Sequence, residues 1–148
     1  MGSEMGDEDK TKPLIPVYLV SSCLVGLPAR YDGAVKTNES CQLAMAGGVW
    51  VPVCPEQLGG LPTPRPPAEL IGGQGEEVLR GKAKVITKDG VDVTAQFVSG
   101  ARQVLHIAEQ LQVSEVFLKS GSPSCGAGRI LGVTAALLQS KGILVKEF

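Results

Sequence analysis

Short apolar runs that end in Ser, Gly, Pro or Cys alternate along this chain with longer segments of helical period, and this alternation limits the fold more than any single motif does. Val116, Phe117 and Leu118 form an almost continuous apolar run, as expected of a strand buried on both faces of a parallel sheet. The run stops at Lys119 and opens into SGSPSCGAG, a loop of chain breakers that carries Cys125. Ile15 to Val20 reads as the first strand and ends at Ser21-Ser22-Cys23, before a loop containing Gly26, Pro28 and Gly33. Thr37 to Ala46 reads as a helix capped by Asn38 and stopped by Gly47-Gly48. Val49 to Val53 is a second strand, and Pro52, which cannot donate to a ladder, places it at a sheet edge or ends it early.

From Ala95 to Leu111, the residues Phe97, Ala101, Val104, Leu105, Ala108 and Leu111 recur at three- and four-residue intervals, which predicts an amphipathic helix capped by Thr94. Gly132 to Lys141 reads as the last helix and Ile143 to Val145 as the last strand. Lys82 to Val93 adds a small hairpin, because Asp89-Gly90 between β-branched runs is a turn signal. Pro55 to Gly75, with Pro62, Pro64, Pro66 and Pro67, reads as a long irregular loop of the functional kind. Residues 1–13, polar and acidic, read as an expression remnant or a disordered lead-in. The expectation is an α/β fold: a single three-layer Rossmann-like domain over 14–148, with a mostly parallel sheet of about four strands plus the hairpin.

The 14 basic and 15 acidic residues leave a net charge of −1, so no excess of positive charge points to a nucleic-acid polymer, and none is expected as a partner. No apolar segment approaches the roughly 18 to 20 residues needed to cross a bilayer, and the N-terminus lacks the basic start and apolar core of a signal peptide. A cytoplasmic protein, monomer or dimer, is therefore expected. In that setting four cysteines point to thiols kept for metal binding or catalysis rather than to disulfides.

Cys23, Cys54 and Cys125 each fall at or just past the carboxyl end of a different strand, and in open parallel sheets those ends line one ligand-binding edge. Three thiolates meeting there suit zinc or an iron–sulfur cluster, although no Cys-x-x-Cys pair provides a local signature. Cys41, inside the first helix, reads as a packed thiol or a fourth ligand. His106, the only histidine, lies on a helix far from the strand ends. Glu56, two residues past Cys54, is the acid–base candidate. Ser120, Ser122 and Ser124 flank Cys125, and their hydroxyls suit a substrate or a cluster sulfur. Arg30 and Arg65, in the loops after the first two strands, suit an anionic or carbonyl-rich ligand.

At these residues the chain resembles the thiouracil desulfidase family. The matching stretches are Ser21-Ser22-Cys23-Leu24-Val25-Gly26, Arg30-Tyr31-Asp32-Gly33, Val53-Cys54-Pro55-Glu56, Gly59 to Glu69, Gly90-Val91-Asp92-Val93-Thr94 and Leu118 to Gly126. They run in the expected order through nearly all of the chain after Pro16. The resemblance implies a 4Fe-4S cluster held by Cys23, Cys54 and Cys125, with Cys41 outside the pattern. It further implies an open iron that binds the sulfur of a thiolated base, nucleoside or nucleotide, and water activated by Glu56, with Ser122 ahead of Ser120 and Ser124 in orienting the base. No net electron transfer is needed. The chain departs from the family's pattern after the last cysteine, where Arg129 reaches Gly132 through only Ile130 and Leu131 instead of a longer Gly-rich insertion. A loop this short implies a more open pocket, if that loop is what covers it. Two readings stand beside the enzyme: a non-catalytic metal or cluster-binding module, which has no use for Glu56, and a metal-free hydrolase with Cys125 as nucleophile, which lacks a histidine base.

Overall fold

Val17, Leu19 and Val20 make β1 (Val17–Ser21) the centre of the molecule in a computed structural model that describes residues 15–148. The expectation for residues 1–13 lies outside the described residues. β1 pairs in parallel with β2 (Val49–Val53), from Val17 opposite Val49 to Ser21 opposite Val53. On its other side it pairs with β5 (Glu115–Leu118), and β5 pairs with β6 (Val145–Glu147). The strand order β2-β1-β5-β6 leaves β2 at the edge, where the missing N–H of Pro52 costs no ladder hydrogen bond.

Alternation along the strands separates two apolar faces. Leu19, Val116 and Leu118 are buried with Val104, Ala108, Ala135 and Leu138 of α4 (Thr94–Leu111) and α5 (Val133–Ser140). Val20 and Phe117 turn the other way, toward Leu24, Cys41 and Met45 beside α1 (Glu39–Ala44). Each fully buried Leu or Phe on these faces contributes about 2 kcal/mol relative to exposure. Helix, sheet and helix thus form the expected three layers. Asn38 caps α1 as expected, its Oδ1 accepting the Cys41 N–H at 2.9 Å. No helix among the described residues is long and apolar enough to cross a membrane.

The structure corrects four expectations. Pro55 to Gly75 is not irregular throughout: it contains α2 (Pro55–Leu58), β3 (Ala68–Ile71) and the start of α3 (Gly75–Leu79). Pro55 occupies the first turn of α2, where a missing N–H is harmless, and only the prolines between α2 and β3 stay irregular. β3 is the antiparallel partner of β4 (Lys84–Thr87), from Ala68 opposite Thr87 to Ile71 opposite Lys84. The expected second hairpin arm around Asp92 adds only a bridge between Ile86 and Asp92. Thr94 is the first residue of α4 rather than its cap, and Asp92 Oδ1 accepts the Thr94 N–H at 2.9 Å while the Thr94 hydroxyl accepts the Val85 N–H. The last strand begins two residues late, because the Ile143 N–H closes the end of α5 on the Leu138 carbonyl.

The chain leaves β1 toward β2 on one side, whereas β5 lies on the other side. Loops leaving β1 and β5 diverge at this switch point, and a crevice opens between them at the carboxyl ends of the strands.

Candidate active site

Each of the three strand-end cysteines is delivered by a local device. Beyond Ser21 the chain tightens into a single turn of 3-10 helix, Ser22–Leu24, which sets Cys23 at the end of β1. Cys54 is the N-cap residue of α2 and retains an extended conformation, so its sulfur faces the free N–H groups of the first turn. Cys125 follows a turn closed by Ser122, whose Oγ accepts the N–H groups of Ser124 and Cys125, each at 3.0 Å.

The three thiols line one cavity of about 320 Å³, a size suited to a small molecule. Glu56, Arg30, Arg65, Ser120 and Ser122 line the same cavity, so eight of the nine residues expected at the site come together there. Ser124 does not. It is fully buried, and its hydroxyl pairs with that of Thr134 at 2.7 Å, behind the loop rather than in the cavity. Cys41 is also fully buried, within the cluster of Val20, Leu24, Met45 and Phe117, and does not line the cavity. His106 is exposed on α4, in a shallow hollow with Arg102 and Gln103. The short segment after Cys125 closes on the last strand instead of the cavity: the Ala127 N–H donates to Glu147 Oε2 at 2.9 Å, and Ala127 and Leu131 form a bridge.

Eleven residues line the cavity beyond those expected, and four of them bear on its chemistry or shape. Ser21 accepts the Lys119 N–H at 3.0 Å and lines the cavity beside Cys125. Lys119 brings its ammonium to within 3.4 Å of the Ser120 hydroxyl and carbonyl. Tyr31 and Pro67 complete the wall. A lysine and a serine at the ends of parallel strands were signal enough, since that edge is where such sheets bind ligands. Tyr31 and Pro67 fall within stretches that carry the family resemblance, but no chemistry of their own singled them out as site residues.

Burial raises the titration of all three thiols. It pushes Cys125 up to about 12, against a lowering hydrogen bond from Ser21, with Glu56, Cys54 and Cys23 raising it further. Burial and then Cys54 raise Cys23, while Lys119 and Arg30 oppose them. Burial also raises Cys54, against the Gln57 N–H and Arg65. A thiol this reluctant to ionise is a poor lone nucleophile, and no histidine accompanies it, which disfavours the metal-free hydrolase. A soft cationic group would reverse the balance, because it draws protons from the thiols that bind it. Among the described residues, no three His, Cys, Asp or Glu side chains are gathered closely enough to hold one metal ion. Three thiols on the walls of one cavity are a soft donor set of the kind that suits a thiophilic metal group.

Arg65 and Glu56 form a two-point ion pair: Nε donates to Oε1 at 3.3 Å and Nη2 to Oε2 at 3.1 Å. Nη1 donates to the Pro62 carbonyl and the Thr63 hydroxyl, and Nη2 also donates to the Ala29 carbonyl at 2.9 Å. The five N–H donors of a guanidinium are thereby matched by five acceptors of the protein, which leaves Arg65 none to offer a ligand. Arg30 is less committed, with one contact to Asp32 at 3.4 Å.

The family model for 2-thiouracil desulfurase matches residues 18–148 of the chain. This chain belongs to the 2-thiouracil desulfurase family. Within it, the chain is 45% identical over 141 residues to the uncharacterized protein YbbK of Bacillus subtilis (strain 168), which covers 87% of this chain and 93% of that protein. It also matches the solved structure of the [4Fe-4S]-dependent thiouracil desulfidase TudS, with 41% identity and a TM-score of 0.73 over 89% of this chain and 90% of TudS.

Proposed function

We propose that this 2-thiouracil desulfurase family member is a hydrolytic, non-redox desulfidase that removes sulfur from a thiolated nucleobase of the 2-thiouracil or 4-thiouracil type. Water and the thiocarbonyl would give the carbonyl base and sulfide, with no change of oxidation state. The observation that carries the reading is the meeting of three thiols from three strand ends in one cavity with a carboxylate held by an ion pair. Membership of the family and the likeness to a [4Fe-4S]-dependent desulfidase support it.

Cys23, Cys54 and Cys125 would hold the 4Fe-4S cluster, which when bound supplies an iron without a protein ligand as a Lewis acid for the substrate sulfur. The chain's own residues do the rest. Each Glu56 oxygen accepts one Arg65 hydrogen bond and retains a lone pair, so the carboxylate can take a proton from a water poised at the ring carbon. Ser122 Oγ already accepts two backbone N–H groups, so its own proton is left to donate to a ring nitrogen or carbonyl oxygen. Ser120, beside Lys119, and Arg30 flank the same space and suit the carbonyl or an anionic substituent of a base, nucleoside or nucleotide. Tyr31 offers a flat ring to a planar heterocycle.

The test is anaerobic loading with iron and sulfide, followed by measurement of iron per chain, the visible absorbance of the cluster and sulfide release from 2-thiouracil and 4-thiouracil. Cys23→Ala, Cys54→Ala and Cys125→Ala are expected to lose the cluster, and Cys41→Ala to retain it. A colourless wild type that binds no iron would sink the reading. Full loading with no sulfide released, in wild type and Glu56→Ala alike, would favour the non-catalytic cluster module.

A further inference from the structure

We propose that Arg65 is a positioning residue for this reaction, not a substrate contact: its guanidinium fixes the plane and direction of the Glu56 carboxylate. The proposal rests on the reading of Glu56 as acid and base. Arg65 lies in the segment between α2 and β3, and its side chain is 4% exposed, against 23% for Arg30, so it has little solvent to share its charge with. Its two bonds to Glu56 run from Nε and Nη2, one edge of the planar fork, to both carboxylate oxygens. Such a pair defines an orientation as well as a distance, which a single point charge cannot do.

The remaining donors anchor the fork itself. Nη1 holds the Pro62 carbonyl and the Thr63 hydroxyl, and that hydroxyl also accepts from Gln57 Nε2 at 2.8 Å, one residue beyond Glu56. Nη2 holds the Ala29 carbonyl, which also accepts the Cys54 thiol at 3.8 Å. The Arg65 backbone N–H binds the Tyr31 carbonyl at 2.7 Å. A single side chain therefore ties the loop after β1 to the helix that carries Glu56. Glu56 sits on a four-residue helix at the cavity edge, and α2 alone is too short to hold its side chain in one rotamer.

The experiment compares wild type with Arg65→Lys, Arg65→Gln and Glu56→Gln, all loaded anaerobically, by kcat and KM for thiouracil. Iron per chain and the thermal midpoint of the unloaded chain are measured beside them. Arg65→Gln is expected to lower kcat on the order of 10²-fold with KM within about twofold, because a carboxylate misplaced by about 1 Å loses that much. Arg65→Lys, which retains the charge but not the fork, is expected to lower kcat about tenfold at wild-type iron content. A raised KM at unchanged kcat would place Arg65 on the substrate and overturn the proposal. So would an unchanged kcat in Arg65→Gln, or in Arg65→Lys where Arg65→Gln fails to fold or load. Glu56→Gln at wild-type kcat would remove the acid–base reading, and the proposal with it. An inactive Glu56→Gln beside a fully active Arg65→Gln would overturn the proposal alone.

Discussion

Gly100→Ala tests whether the site is held in place from behind. Gly100 is buried in the middle of α4, and Gly59 ends α2, where the two helices cross. A Cβ built on Gly100 would meet the Pro55 carbonyl oxygen, and one on Gly59 would meet the Gln96 carbonyl, both nearer than real Cβ atoms come. The obstacle in each case is backbone, so no side chain can swing aside. To restore ordinary contact at Gly100 the Pro55 carbonyl must retreat by about 1.5 Å in an interior as dense as an organic crystal. That carbonyl accepts the Gly59 N–H at 2.9 Å, the bond that closes α2, and it lies between Cys54 and Glu56. Overpacking costs about 1–3 kcal/mol, and a clash with fixed backbone belongs at the upper end. Ala is favoured over Gly in a helix by about 1 kcal/mol, which offsets part of this. The net loss is about 2 kcal/mol, or about 6–8 °C in thermal midpoint for a chain of this size. Turnover falls by about 10- to 100-fold, because a shift of this size misplaces Glu56. The assay is thermal unfolding of the unloaded chain followed by sulfide release at matched iron content, with exposed Ser99→Ala as the control for helix propensity. A Gly100→Ala protein that melts at or above wild type would refute the reasoning, since propensity alone would then be acting.

Three further outcomes follow from other contacts. Thr134→Val strands the buried Ser124 hydroxyl and lowers stability by about 1–3 kcal/mol in urea unfolding, and adding Ser124→Ala recovers part of the loss because neither partner is then left unpaired. Cys41→Ala costs about 1 kcal/mol in the same assay through a lost packing contact, and leaves iron per chain unchanged. Asp92 is held below the usual carboxylate range first by its side-chain hydrogen bond with Thr94 and then by the Thr94 backbone N–H. Its stabilisation is therefore present above a pH of about 4 and disappears as pH falls through the lowered value, so the stability gap between wild type and Asp92→Ala narrows on acidification.

The parallel sheet was legible because its strands obey a local rule. Val116 to Leu118 are apolar on consecutive positions, as a strand covered on both faces must be, and the edge position of β2 was written in Pro52. β3 was not legible. Its four residues follow two prolines and owe their extended pairing to β4, sixteen residues away along the chain, so no window around Ala68 shows a strand. The same division holds at the site. Cys23, Cys54, Cys125 and Glu56 could be read because each stands at a recognisable strand end, and topology brings strand ends together.

The hydrogen-bond partners of Arg65 and Ser124 could not be read, although Arg65 does reach the cavity as expected. Both stand in loops beside ligand-type residues, and sequence proximity puts them at the cavity. What a polar side chain can offer a ligand depends on how many of its donors the protein has already engaged, and those partners come from distant segments: Ala29 and Glu56 for Arg65, Thr134 for Ser124. A buried group must be satisfied, so the chain's own acceptors engage first. Arg30, with a single carboxylate contact and a partly exposed side chain, is the loop arginine that retains free donors. Both arginines line the cavity, but solvation and pairing separate them into one whose donors are all engaged, two of them on the Glu56 carboxylate, and one that retains free donors. That difference is measurable: Arg30→Gln is expected to act on KM while Arg65→Gln acts on kcat, and a pair of variants that shift the same parameter would refute the division.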